Sequence, residues 1–270
     1  MGESQSGGYI NLYYKWIHQI ARMQDGKPVY DGFLIEDSGA GPSSSAALNQ
    51  CAAPLASTDP QRILNHHGEP LVVVNSQVFY PRTGRPPNSD TRDNRFMLWM
   101  TAGASHGWTE QYDYSDAARE DLLEAGFLIR GSEFGHFSCS NRQPEIQLYM
   151  FEKSLYALWV SSGKAPPTAP DPVIEKGQYL LNADGNILGG LRMPEIEAPI
   201  ALYKGVLTPS PDCTSAVLPF SGERMQQLYP THKDYTNAFE RAGDKLVAKD
   251  FLSRSDAQKL IARAKAAPVP

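Results

Sequence analysis

Cysteine is scarce. Cys51, Cys139 and Cys213 are too few for a disulfide framework, and their spacing fits no zinc signature. A basic block is missing as well: 25 Lys and Arg against 30 Asp and Glu leave a net charge of −5, which argues against nucleic acid or an anionic membrane surface as the main partner. No apolar run nears the roughly 18 residues of a membrane span. Met1-Gly2-Glu3-Ser4 does not read as a secretory leader, and any such leader would lie before it. No internal repeat is visible. What is present is a chain of 270 residues, 41% hydrophobic, long enough to bury a sizeable core, with 22 Gly and 21 Pro that predict many loops.

The start of the chain carries the clearest chemical signal. Gly2-Glu3-Ser4-Gln5-Ser6-Gly7 runs directly into Ile10, Tyr13, Tyr14, Ile17, Ile20 and Ala21, a helical stripe, so a helix is expected from near Ser6. A serine between small residues just before a helix is what a nucleophile elbow requires. The chain must turn sharply from strand to helix, so the residues two positions either side are small, and the helix N-terminus favours negative charge beside the exposed hydroxyl. Centring on Ser4 keeps a leading glycine and is preferred; centring on Ser6 is the other register. The competing reading is that either serine is only an N-cap.

Further along, Lys27–Ile35 reads as a short strand, and 36–69 as a long Ser-, Ala-, Gly- and Pro-rich excursion. Leu71-Val72-Val73-Val74 reads as a buried parallel strand, and Arg95–Met100 as the next one. The second strand ends in Thr101-Ala102-Gly103-Ala104-Ser105-His106, which places a histidine in a small-residue loop at a sheet's carboxyl edge. Pro144–Val160 has a helical stripe, and Ala165–Pro170 reads as a stiff linker. Asp184-Gly185 between apolar flanks signals a hairpin. Thr231-x-x-Asp234 and Ser253-x-x-Asp256 look like helix starts, the first followed by the stripe Tyr235, Ala238, Phe239, Ala242, Leu246 and Val247. His66-His67 lacks a carboxylate at metal spacing and reads as a polar turn, so no metal is expected.

Taken together, Gly2-x-Ser4-Gln5-Ser6-Gly7, Val29–Phe33, Gln50-Cys51-Ala52-Ala53-Pro54, Ala102–His106, Leu158–Pro167, Asp184–Arg192 and Leu228–Tyr235 resemble the α/β-hydrolase domain family, over nearly the whole chain but only the C-terminal part of the family's length. The resemblance implies an α/β-hydrolase fold that starts at the elbow without its N-terminal strands: a mostly parallel sheet with helices on both faces, plus a hairpin and a helical C-terminal extension. Residues 1–165 would be the hydrolase core with the elbow and histidine loop, and 166–270 the extension packed on it. Ser4 would be the nucleophile, His106 the general base and the Gln5 backbone N–H an oxyanion donor, with a second donor upstream of Met1. The acid is where the pattern departs, because Asn75–Tyr80 after the Leu71 strand holds no Asp or Glu. Asp90 matches a carboxylate-bearing loop and is chosen; Asp93, and Glu36 or Asp37 after the preceding strand, are the alternatives.

Trp108 and Tyr112, with Tyr114 and His136, would line an acyl or alcohol pocket, or simply pack a loop. The expected activity is cofactor-free hydrolysis of a small-molecule carboxylic ester. The rival is an incomplete or inactive hydrolase-like chain with a binding role or no role of its own, which would self-associate through an exposed sheet edge. A Cys51–Cys139 pair would indicate an extracellular or periplasmic setting; three free thiols would not.

Overall fold

A computed structural model describes residues 1–38, 68–77, 79, 80, 87–104, 118, 120–127, 158–205 and 216–269. Its centre is a five-stranded sheet in the order β1-β2-β3-β5-β4: β1 (Gly2–Glu3), β2 (Phe33–Glu36), β3 (Leu71–Asn75), β4 (Ser89–Thr91) and β5 (Asn94–Met100). β1, β2, β3 and β5 are parallel, and β4 runs antiparallel to β5. The apolar runs expected as buried strands are β3 and β5, and both faces of each are covered. Leu34, Val72, Val74, Met97 and Trp99 point to one side; Phe33, Ile35, Leu71, Val73, Phe96, Leu98 and Met100 point to the other.

The second side is covered by α1 (Ser4–Leu12) and its continuation Tyr13–Ile17, through Ile10, Tyr13 and Tyr14. This continuation is π-helical, with His18 N donating to Tyr13 O at 2.9 Å. The extra residue in that turn rotates everything after it. Tyr14, inside that turn, is buried, while Ile20, placed by sequence on the same stripe, lies in the turn after the helix end and is 78% exposed.

α2 (Pro194–Glu197) lies between the two sides, with Ile196 in the second side's cluster and the flanking Met193 and Ala198 in the first; the first side is covered by α3 (Gly222–Leu228), α4 (His232–Ala248) and α5 (Arg254–Ala266). Thr231 and Asp234 cap α4 reciprocally, with Asp234 N donating to Thr231 Oγ1 at 3.2 Å and Thr231 N to Asp234 Oδ2 at 3.0 Å. Ser253 Oγ takes the Asp256 N–H at 3.0 Å and starts α5. Leu191, Met193, Tyr235, Phe239, Leu246 and Phe251 belong to the same core cluster as Leu34, Val74 and Trp99. The Pro-rich 165–170 stretch is accordingly no spacer: Ala169 is buried and Pro167 O accepts the Trp99 indole N–H at 3.1 Å.

Between these parts lie two hairpins. β6 (Ile174–Glu175) and β7 (Gln178–Tyr179) turn at Lys176-Gly177, both with positive φ. The expected Asp184-Gly185 turn follows, with Leu181 bridging Ile187 and Asn182 Oδ1 accepting from Asp184 N and Asn186 N. β8 (Ala201–Lys204) and β9 (Ala216–Pro219) form a further antiparallel pair. Among the described residues no helix is long and apolar enough to cross a membrane.

Candidate active site

The four parallel strands end on one edge of the sheet, and each exit delivers a polar residue there. β1 leads straight into α1 through Ser4, which has φ 51°. A left-handed conformation at a serine costs on the order of 1–3 kcal/mol and persists only where the surroundings hold it. The surroundings here are close. A Cβ on Gly2 would lie 2.7 Å from Ile10 Cγ1, and one on Gly7 would lie 2.8 Å from Ser38 Cβ and 3.2 Å from Glu36 O. The two glycines thus let β1, α1 and the β2 exit touch. Ser6 lies inside the first turn, its Oγ donating to Glu3 O at 2.7 Å and accepting from Glu3 N at 3.1 Å. Of the two registers, Ser4 is therefore the residue at the bend and Ser6 a local brace. Gln5 begins the helix, so its backbone N–H belongs to the positive end of the α1 dipole.

One strand over, Glu36 and Asp37 occupy the β2 exit. Glu3 pairs with Glu36 in the parallel register, so Asp37 follows Glu36 as Ser4 follows Glu3. Asp37 is 3% exposed and has φ 42°. Its N–H donates to Val74 O at 2.9 Å, and its Oδ1 accepts the Ser76 N–H of the β3 exit. Glu36 is fully buried, and burial together with the charges of Glu3 and Asp37 pushes its carboxyl up to about 8, against a smaller opposing effect of the Met1 amino group.

The β3 and β5 exits are tied together. Thr101 N donates to Asn75 O at 2.9 Å and Gln77 N to Ala104 O at 3.3 Å. Gly205 N donates to Gln77 Oε1, and Tyr179 Oη to Gln77 O, each at 3.0 Å. Gln77 thus joins β7, the end of β8 and the loop that leads to His106. That loop turns at Gly103, φ 74°, where a Cβ would sit 2.5 Å from Ile196 Cδ1, so only glycine fits. Ala104 is the last described residue before His106. His106, Trp108 and Tyr112 lie outside the described residues, as do Tyr114, His136, His66, His67 and the three cysteines.

Asp90 is placed elsewhere. It sits in β4 opposite Arg95, the second residue of β5, and so near the amino-terminal end of the parallel strands, while Ser4 is at their carboxyl end. Its Oδ1 accepts the Trp159 indole N–H at 2.7 Å, a packing role. Asp93, in the β4–β5 turn, is on the same far side. The structure brings Glu36 and Asp37, not Asp90 or Asp93, to the edge that carries Ser4. Two features went unread in the sequence. Gln77 gave no signal, since an amide in a polar loop resembles any other. The buried His18, 2.9 Å from Glu69 Oε2, staples the end of the π-helical turn to the entry of β3. Among the described residues, no group of three His, Cys, Asp or Glu side chains is arranged to hold a metal ion.

A mostly parallel sheet flanked by helices, with a serine at a left-handed strand–helix bend, is the architecture of an α/β hydrolase. The family model described as alpha/beta hydrolase domain matches residues 1–262, and the chain belongs to that family. No curated protein and no solved structure matches it.

Proposed function

We propose that the chain is a serine hydrolase of carboxylic esters, working through an acyl-enzyme. The observation that carries this reading is Ser4 at φ 51° between a parallel strand and a helix, at the carboxyl edge of the sheet. Ser4 Oγ attacks the ester carbonyl while His106, reached from Ala104 through Ser105, takes its proton. The Gln5 N–H stabilises the oxyanion. His106 then returns the proton to the departing alcohol, and water releases the acid by the same route in reverse. Trp108 and Tyr112, just beyond His106, would line the substrate pocket.

For the acid that orients His106 we choose Asp37 in place of Asp90. Asp37 is buried one strand from Ser4 and is held by Ser76 N–H, whereas Asp90 is at the opposite end of the sheet and engaged by Trp159. A fluorophosphonate probe and a p-nitrophenyl ester test the reading. Wild type should be labelled and should turn over; Ser4→Ala should do neither. Undiminished labelling or turnover by Ser4→Ala would remove Ser4 from the mechanism.

The rival, a chain with a binding role or none of its own, is favoured by one feature. β1 is two residues long and, among the described residues, is paired only with β2, which leaves an edge that a second copy can extend. Sedimentation at rising concentration checks for that association.

A further inference from the structure

We propose that Glu36 is a positioning residue for Ser4: its carboxyl stays protonated and donates a hydrogen bond to the Glu3 carboxylate across β1 and β2, and loss of that proton loosens the bend. The inference rests on the reading of Ser4 as nucleophile for its catalytic consequence, but not for the proton itself.

Register and burial support it. Glu3 and Glu36 are Cα partners in adjacent parallel strands, so their side chains leave the sheet on the same face. This is the face of Leu34 and Val74, covered by the C-terminal helices. Among the described residues no N–H or O–H donates to Oε1 or Oε2 of Glu36, and the residue is 0% exposed. A buried carboxylate with no donor is the costlier form, and a carboxylic acid beside a carboxylate is the form that satisfies both. Among the described residues the charged groups acting on Glu36 are Glu3 from β1, Asp37 at the end of its own strand and, with opposite sign, the Met1 amino group; its neighbour on β3 is the uncharged Val74. The value of about 8 given above follows from the same surroundings. Glu3 immediately precedes Ser4, so whatever fixes the Glu3 side chain fixes the peptide entering the bend. A second carboxylate in that pocket would repel the first and push β1 away from β2.

The experiment uses the 270-residue chain. Fluorophosphonate labelling of wild type should fall about tenfold between about pH 7 and pH 9, as Glu36 ionises. In Glu36→Gln, whose amide donates at every pH, the ratio of the two rates should lose that fall. Infrared difference spectra of glutamate-labelled wild type against Glu36→Gln should show a protonated carbonyl at pH 7 that disappears toward pH 9. The same alkaline fall in Glu36→Gln, or an ionised Glu36 at pH 7, would overturn the proposal. If no serine is labelled at any pH, the hydrolase reading fails, and the infrared band alone still decides the state of Glu36. Should Glu36→Gln not fold, Glu36→Met serves as the reference for the same difference spectra.

Discussion

The two ends of the sheet treat their polar residues in opposite ways. At the amino-terminal end, ionisable side chains are fastened: His18 to Glu69 at 2.9 Å, and Asp90 to the Trp159 indole at 2.7 Å. At the carboxyl end the chain is held under strain. Of the four non-glycine residues with positive φ among those described, Ser4 and Asp37 leave adjacent strands there, and Glu36 lies between them with no described N–H or O–H donating to its carboxyl oxygens. An α/β sheet places ligands and reacting groups outside the carboxyl ends of its strands, and backbone strain collects where chemistry rather than stability sets the geometry. The contrast separates residues that hold this molecule together from residues that would make it work, and it is open to direct attack.

The largest expected effect is at Ser4. Ser4→Ala should lower ester turnover by on the order of 10⁶-fold, while Ser4→Gly should abolish it and leave the fold as stable or up to about 1 kcal/mol more stable, because glycine accepts φ 51° freely. A clear loss of stability in Ser4→Gly, read by urea unfolding, would contradict the strain argument. Next come the two aspartates. Asp37→Asn keeps the acceptor for Ser76 N–H but loses the charge, and should cost about 10⁴ in kcat with unfolding little changed. Asp90→Ala should leave kcat within a few-fold and cost about 1 kcal/mol through the lost Trp159 bond. The opposite pattern would move the acid back to Asp90. Gly103→Ala should then cost about 2 kcal/mol or more in urea unfolding, since the added methyl meets Ile196 at 2.5 Å and the turn needs φ 74°.

Much of this frame is legible in the residues. β3 and β5 announce themselves as apolar runs because both faces of each are covered, and Thr231 and Asp234 mark a helix start that the structure reproduces bond for bond. The bend at Ser4 is legible because the close packing of β1, α1 and the β2 exit requires glycine at positions 2 and 7. The position of Asp90 is not legible, and the reason is topological. Chain order puts it between serine and histidine, but β4 is a three-residue polar strand running antiparallel, and it carries Asp90 to the end of the sheet opposite Ser4. A polar edge strand has no hydrophobic period to reveal it. Ile20 misleads in a related way, because the helix ends at Ile17 and the sequence stripe runs past that end into a turn.

The last effects are in pH, and there the two ends should pull in opposite directions. Burial would raise Glu69, but the hydrogen bond and charge of His18 outweigh it and hold the carboxyl below its ordinary 4.5. Its contribution to stability is therefore complete above that value and is lost as pH falls through the lower folded-state value, about a kcal/mol at a partly exposed pair. At the carboxyl end, Glu195 of α2, next to the Ile196 that packs on Gly103, is pushed up by burial to about 7, and Glu36 to about 8. Both keep their protons in the fold after the unfolded chain has released them. Stability should thus decline from about pH 4.5 up to 7 for one and 8 for the other, then level off, at up to about 1.4 kcal/mol per pH unit for each group. Urea midpoints measured across this range should show Glu69→Gln flattening only the acid limb, and Glu195→Gln and Glu36→Gln only the decline above it. A wild-type stability that rises from pH 5 to 8 would mean that the carboxyl end is not the strained one.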